Sequence, residues 1–380
     1  MTDDRESALL SRVPLVDGHN DLPWALRLRS GPDPVAAVAG VDLAAGDPGL
    51  HTDLPRLRAG RVGAQFWSVY VPCSFTGDSA VTAVLEQVEL VHRLVERYPA
   101  DLALATSADE AVTAFRDGRI GSLLGAEGGH CIAGSLGVLR TLRRLGVRYL
   151  TLTHNLNTDW ADSATDEPVH GGLTGFGREV VREMNRIGML VDLSHVAETT
   201  MRDALATSAA PVVFTHSSTR AVTDHPRNVP DDVLAALSGT GGVCMVTFVP
   251  RFVSPAVAAW DDRLHEAMAA ADLDHRDLRA RDAFAASWDG PQPPVATLDD
   301  VVEHMEHARA VAGIDHIGIG GDYDGVAELP VGLDDVAGYP ALFRALLERG
   351  WSEKDCAKLA GRNVLRVLRD ADDVAGAAEG

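Results

Sequence analysis

Cysteine, lysine and positive charge are all scarce in this chain, and each scarcity removes a class of function. Only four cysteines occur in 380 residues: Cys73, Cys131, Cys244 and Cys356. They are widely scattered and form no CxxC pair, which argues against a thiolate metal site or a disulfide framework; free buried thiols are expected. Acidic residues outnumber basic ones by 55 to 34, for a formal net charge of −21. Such a surface repels nucleic acid and anionic membrane, so neither is expected as a partner. No uninterrupted apolar segment is long enough to span a bilayer. The polar start, MTDDRESALLSRVP, has no apolar core of signal-peptide length, and the end, DADDVAGAAEG, lacks a lipid-anchor tail. A soluble cytoplasmic protein is the expectation.

Runs of Val, Ile and Leu without polar alternation begin near Pro14, Arg61, Ile120, Val147, Gly188, Pro211, Gly242 and His316. These read as eight strands buried on both faces. Amphipathic helical patterns such as AVLEQVELVHRLVERY and LDDVVEHMEHARAVAG separate them. Eightfold alternation predicts a (β/α)8 barrel occupying 1–380 as one domain. The competing architecture is an open doubly wound sheet, but no GxGxxG turn follows an early strand. Two connections are long, at about 26–58 and 253–297. Long connections tend to be lids or binding loops, and at the catalytic rim they would cover the substrate. Elsewhere they would serve an oligomer contact.

Five ligand-type side chains fall where an apolar run gives way to a turn. His19 and Asp21 close PLVDGHND, Glu127 closes IGSLLGAE, His195 closes GMLVDLSH and His216 lies in PVVFTHSS. Two residues apart on one strand, His19 and Asp21 share a face. A parallel barrel gathers such strand ends at one rim. Imidazole and carboxylate suit zinc or a similar divalent ion, and five ligands exceed what one open catalytic zinc takes. They divide into His19 and Asp21 on one ion, His195 and His216 on a second, with Glu127 bridging. A carbamylated lysine, the common alternative bridge in binuclear barrels, is excluded because Lys354 and Lys358 are the only lysines and both lie in the terminal helix.

Three further residues are candidates. Asp322 in HIGIGGDYDG stands beside the expected metals and suits proton transfer, whereas Asp324 before Gly fits a turn. His154, ending YLTLTHN, is placed to bond a developing oxyanion, to act as a further metal ligand, or to sit as a satisfied core histidine. Arg227 in DHPRNVPDD reads, by itself, as a solvated loop arginine.

The stretches GAQFWSVYVPC, LTLTHNLNTDWADS, LTGFGREVVREMNRIGMLVDLSHV, THSSTRAV, RNVPDDVL and GIGGDYDGV resemble the membrane (renal) dipeptidase family, a branch of the amidohydrolase barrels. The resemblance runs from about Pro14 to Leu368. It implies a two-zinc dipeptidase with metal ligands at His19, Asp21, Glu127 (bridging), His195 and His216. It also implies substrate contacts at His154, Arg227 and Asp322, with Arg227 clamping the dipeptide carboxylate. The implied chemistry is attack of a metal-bridging hydroxide on dipeptides, L-Xaa-D-Xaa foremost, by a homodimeric enzyme. Other amidohydrolase activities on the same site, such as N-acyl amino acid deacylation or lactone opening, are the alternative, and a catalytically silent binding barrel is a third reading. Secreted animal members carry a disulfide-forming cysteine where this chain has Leu156, so Cys73 lacks that partner, in keeping with a reducing compartment.

Overall fold

The computed structural model describes residues 5–274 and 278–379. Its strands are β1 (Leu15–Asn20), β2 (Val62–Tyr70), β3 (Leu102–Leu104), β4 (Ile120–Glu127), β5 (Val147–Thr151), β6 (Leu190–Asp192), β7 (Val212–Phe214), β8 (Val243–Val246) and β9 (Ile317–Ile319). All pairings between them are parallel. β1 joins both β2 and β9, β2 joins β4, and β4 through β9 follow in order, so eight strands close a ring. The eightfold alternation therefore reports a (β/α)8 barrel. One correction concerns β3, which the eight apolar runs did not reveal. It has only three residues and pairs with Ile120–Ser122 of β4, below the point where β4 passes to β5. β3 stands outside the ring, so Glu127 ends the third of the eight barrel strands, which is the fourth strand in chain order.

The barrel interior is a packed core. Val16, Phe66, Leu123, Tyr149, Leu190, Val213 and Met245 belong to one buried cluster, which also takes in Val364, Leu365 and Leu368 of the C-terminal helix Asn363–Glu379. Glycine is required where large groups cross this interior. A Cβ on Gly125 would lie 1.9 Å from the Tyr149 ring, so that glycine is what admits the tyrosine. A larger cluster fills the layer between strands and helices. The helix Asp78–Arg97 illustrates why: Ala80, Ala83, Val84, Val88, Val91 and Leu94 recur at helical spacing and are buried. Helix Leu298–Ala312 starts at a capping box in which Thr297 and Asp300 satisfy each other's backbone N–H groups.

Both long connections are structured and reach the C-terminal rim. The first carries helices Leu22–Ser30, Pro34–Ala39 and Leu54–Ala59, and His51 N donates to Asp324 Oδ1 at 2.7 Å. The second carries helices Pro255–Ala270 and Leu278–Ser287, with residues 275–277 outside those described. It has a small core of its own, in which Trp260, Leu264 and Met268 meet Phe284 and Trp288. No helix among the described residues is long and apolar enough to cross a membrane.

Candidate active site

A cavity of about 1180 Å³ opens at the C-terminal rim, and Asp21, Glu127, His154, His195, His216, Arg227 and Asp322 line it. His19 lies fully buried at its floor, with Nε2 3.3 Å from Asp21 Oδ2 and 3.4 Å from Glu127 Oε2. All eight residues singled out in the sequence are thus brought together. Asp21 stands one residue past β1 and opens the following helix; His195 and His216 lie three and two residues beyond their strands.

Glu127 is the centre of the arrangement. Its Oε2 faces His19 and accepts from Ser68 Oγ at 3.1 Å. Its Oε1 faces His195 Nε2 at 3.0 Å, His216 Nε2 at 3.3 Å and His154 Nε2 at 3.9 Å. Burial would raise the Glu127 carboxyl, but His19, His195 and His216 around it hold it well below the usual carboxylate range. Burial pushes His195 and His216 well below the usual imidazole value, so both present neutral rings. For His19, burial works downward, yet Tyr149, Glu127 and Asp21 together carry it well above that value. Burial, reinforced by Asp21 and Glu127, lifts Asp322 well above the ordinary carboxyl range.

The donor set fits metal ions. His195 Nε2 and His216 Nε2 are 2.9 Å apart and both face one carboxylate oxygen, an arrangement a shared divalent cation satisfies. His19 Nε2 and Asp21 Oδ1 are buried without a hydrogen-bond partner. Tetrahedral ligands about 2.1 Å from an ion stand about 3.4 Å apart, close to the 3.0–3.4 Å separations of this cluster. Three overlapping groups have ligand-competent geometry: His19–Glu127–His216, Glu127–His154–His195 and His19–Asp21–Asp322.

The supporting groups were not singled out in the sequence. His19 Nδ1 meets Tyr149 Oη at 2.9 Å, and His216 Nδ1 meets Thr215 Oγ1 at 2.9 Å, which in turn donates to Asp192 Oδ2 at 2.7 Å. Such contacts fix the ring tautomer and leave Nε2 for a metal. Asp17 accepts from His19 N at 3.1 Å and from Gly321 N at 2.9 Å, tying β1 to the loop that carries Asp322. A signal was present: Asp17 and Asp192 are carboxylates inside apolar strands, in LVDGH and LVDLSH, where an acid needs a reason. His195, Asp322 and Asp324 adopt left-handed backbone (φ +68°, +62° and +64°), which costs energy for a residue with a Cβ and is concentrated at this site.

Arg227 is buried rather than a solvated loop arginine. Its guanidinium lies 5.2 Å above the Phe252 ring and donates to Ser217 Oγ and His216 O, each at 3.3 Å. Burial lowers it to about 10, which leaves it cationic at neutral pH. His154, lowered to about 4 by burial, is neutral there. The second long connection contributes Asp261, Asp262, His265 and Arg281 to the cavity wall, residues no sequence pattern pointed to.

A parallel eight-stranded barrel with a buried imidazole–carboxylate cluster at its C-terminal rim defines the metal-dependent barrel hydrolases as a class. Within it, the membrane dipeptidase family (peptidase family M19) matches residues 3–379. The dipeptidase verJ of Clonostachys rogersoniana is 42% identical over 379 residues, covering 96% of this chain and 86% of that protein. A metallo peptidase of Rhodobacter sphaeroides, solved with a phosphinate mimic of the dipeptide L-Ala-D-Ala, is 25% identical with a TM-score of 0.77, covering 94% of this chain and 99% of that one. The probable dipeptidase PvdM of Pseudomonas aeruginosa shares the fold, with a TM-score of 0.81 at 22% identity over 97% of this chain and 98% of that one. The chain belongs to the membrane dipeptidase family and is a metallo-dipeptidase.

Proposed function

We propose that the enzyme hydrolyses dipeptides of the L-Xaa-D-Xaa type using two zinc ions. His19 and Asp21 would hold one ion and His195 and His216 the other, with Glu127 as the shared carboxylate. The observation that carries this reading is the split of the Glu127 carboxylate, one oxygen toward His19 and the other toward His195 and His216. When bound, the ions supply Lewis acidity and a water activated at neutral pH. Arg227 pairs with the free C-terminal carboxylate and so sets the length of the substrate. Neutral His154 donates from Nε2 to the carbonyl oxygen as charge develops there. Asp322 takes the proton of the attacking water and hands it to the departing amine; its raised affinity for a proton suits both halves of that task. The D-configuration is supported by the L-Ala-D-Ala mimic held by the Rhodobacter sphaeroides relative. Four free cysteines support a cytoplasmic location.

A stereochemically complete dipeptide panel, with C-terminal amides and N-acyl amino acids beside it, tests this with metal content counted in parallel. About two zinc ions per chain and selective turnover of free L-Xaa-D-Xaa are expected. Arg227→Met should raise KM for a free dipeptide by the equivalent of roughly 1.5–3 kcal/mol, the worth of a charged hydrogen bond, and leave the amide nearly unaffected. A stoichiometry fixed at one ion, or equal effects of the substitution on acid and amide, overturns the reading.

A further inference from the structure

The turn after β2 carries one group that the chemistry above does not use. Cys73 is free and half-buried, and its Sγ lies 3.6 Å from His154 Nδ1. Hydrogen bonds from the backbone N–H groups of Asn155 and Leu156 reach the same sulfur. With two N–H groups already directed at the sulfur, giving its S–H proton to the ring is the more favourable use of the contact. Burial keeps the thiol protonated, its pKa lying above the ordinary thiol value.

The other ring nitrogen faces the opposite way. His154 Nε2 points to Glu127 Oε1 at 3.9 Å. A neutral imidazole carries one proton, and the two nitrogens compete for it. With the proton on Nδ1, the ring would donate toward a sulfur already receiving two backbone N–H groups. Its Nε2 lone pair would then face a carboxylate oxygen. With the proton on Nε2, Cys73 S–H donates to the Nδ1 lone pair and Nε2–H faces the negative oxygen. Both ends favour the second tautomer. The Tyr70 ring, 4.8 Å from the imidazole, packs beside it and limits its rotation.

We propose that Cys73 is a positioning residue whose thiol donates to His154 Nδ1 and thereby holds the ring proton at Nε2, aimed at the substrate carbonyl. The consequence for turnover rests on the oxyanion role given to His154 above; the tautomer assignment does not. A thiol here does what the hydroxyl of Thr215 and the phenol of Tyr149 do for His216 and His19, with one difference. Those two rings leave an Nε2 lone pair for a metal, so their Nδ1 must donate. His154 must donate from Nε2, so its Nδ1 must accept.

The test is the ¹⁵N signature of His154 in zinc-loaded, histidine-labelled enzyme, read in wild type, Cys73→Ala and Cys73→Ser. In wild type the Nδ1 resonance should be that of a nitrogen without a proton and Nε2 that of a protonated one. Cys73→Ala should mix the tautomers, and Cys73→Ser, which keeps a donor, should restore the wild-type pattern. In parallel, kcat should fall roughly two- to tenfold in Cys73→Ala, the scale of one modest hydrogen bond, with KM nearly unchanged and recovery in Cys73→Ser. A proton on Nδ1 in wild type, an Nε2 that loses its proton on zinc loading, or a serine variant no better than alanine overturns the proposal. A tautomer that shifts in Cys73→Ala without any change in kcat leaves the positioning intact and overturns the oxyanion role of His154.

Discussion

The two ends of this barrel are built on opposite principles. At the C-terminal rim, buried polar atoms such as His19 Nε2, Asp21 Oδ1 and His195 Nδ1 have no hydrogen-bond partner, and four of the lining residues, His195, Asp272, Asp322 and Asp324, sit in left-handed backbone. At the N-terminal end, contacts are close and the buried charge is paired. The turn Lys358–Arg362 packs so tightly on the start of β1 that a Cβ on Gly361 would lie 2.3 Å from Pro14 O, while Arg148, fully buried, pairs with Asp372 of the last helix at 2.7 Å. Unmet polar groups and strained backbone cost stability, and a fold tolerates them where a ligand will meet them. The lower end supplies the rigidity that holds the upper end in place. Substitutions at the rim should therefore change chemistry and metal content, and substitutions at the base should change stability alone.

The largest effects should come from the two acids at the centre of the rim, which separate metal holding from proton transfer. If Glu127 bridges two ions as proposed, Glu127→Gln puts a neutral amide in the place of that charged bridge, so metal should be lost together with essentially all activity. Asp322→Asn keeps shape and hydrogen-bonding capacity but removes the basic oxygen. Its metal content should stay nearly unchanged while kcat falls by roughly 10²–10⁴-fold, the usual contribution of a positioned acid–base group. Metal analysis beside steady-state kinetics reads both. An Asp322→Asn protein that loses a metal ion makes Asp322 chiefly a ligand, and near-normal turnover removes it from the mechanism.

This contrast between the ends also explains what the sequence disclosed. Ligand-type residues at the rim interrupt long apolar runs, so His19, Asp21, Glu127, His195 and His216 stood out one by one, and the strand periodicity gave the barrel. Arg227 did not stand out, because its burial comes from packing against Phe252, a residue 25 positions later that no local pattern links to it. Tyr149 and Thr215 read as strand core, since the hydrogen bonds that give them a task cross between strands. β3 was missed because three residues, the last of them half exposed, carry too little apolar signal to separate a strand from a loop. The insertion's contribution to the cavity wall depends on a helix pair whose docking is tertiary throughout.

A smaller effect should come from the base. Gly361→Ala forces a methyl group toward a backbone carbonyl and toward Val16 Cγ2, 2.7 Å away, neither of which can rotate aside. A loss of roughly 1–3 kcal/mol is expected, as for overpacking elsewhere, visible as a lower denaturant midpoint. Metal content and kcat per folded molecule should match wild type. A fall in kcat without a fall in stability would show that the base transmits strain to the rim, and the division between the two ends would fail.

The smallest effect should come from Glu183, near the end of helix Gly175–Arg186 that leads into β6. Hydrogen bonds from Arg186 and from Arg140 hold its carboxyl at about 2, against an ordinary value of 4.5. A carboxyl whose folded value lies below its unfolded one stabilises the fold fully above the unfolded value and loses that contribution as pH falls toward the folded one. Wild type should therefore be more stable than Glu183→Gln at neutral pH, with the difference shrinking between about pH 4.5 and 2 and gone below that. Both arginines are more than 40% exposed, so solvent screens the pair. Its worth should be near the surface-pair scale of about 0.5–1 kcal/mol rather than the full value the shift implies. Urea unfolding of both proteins across this pH range gives the answer. A difference that stays constant with pH would mean that Glu183 acts through packing, and one that grows on acidification would reverse the sign of its charge interaction.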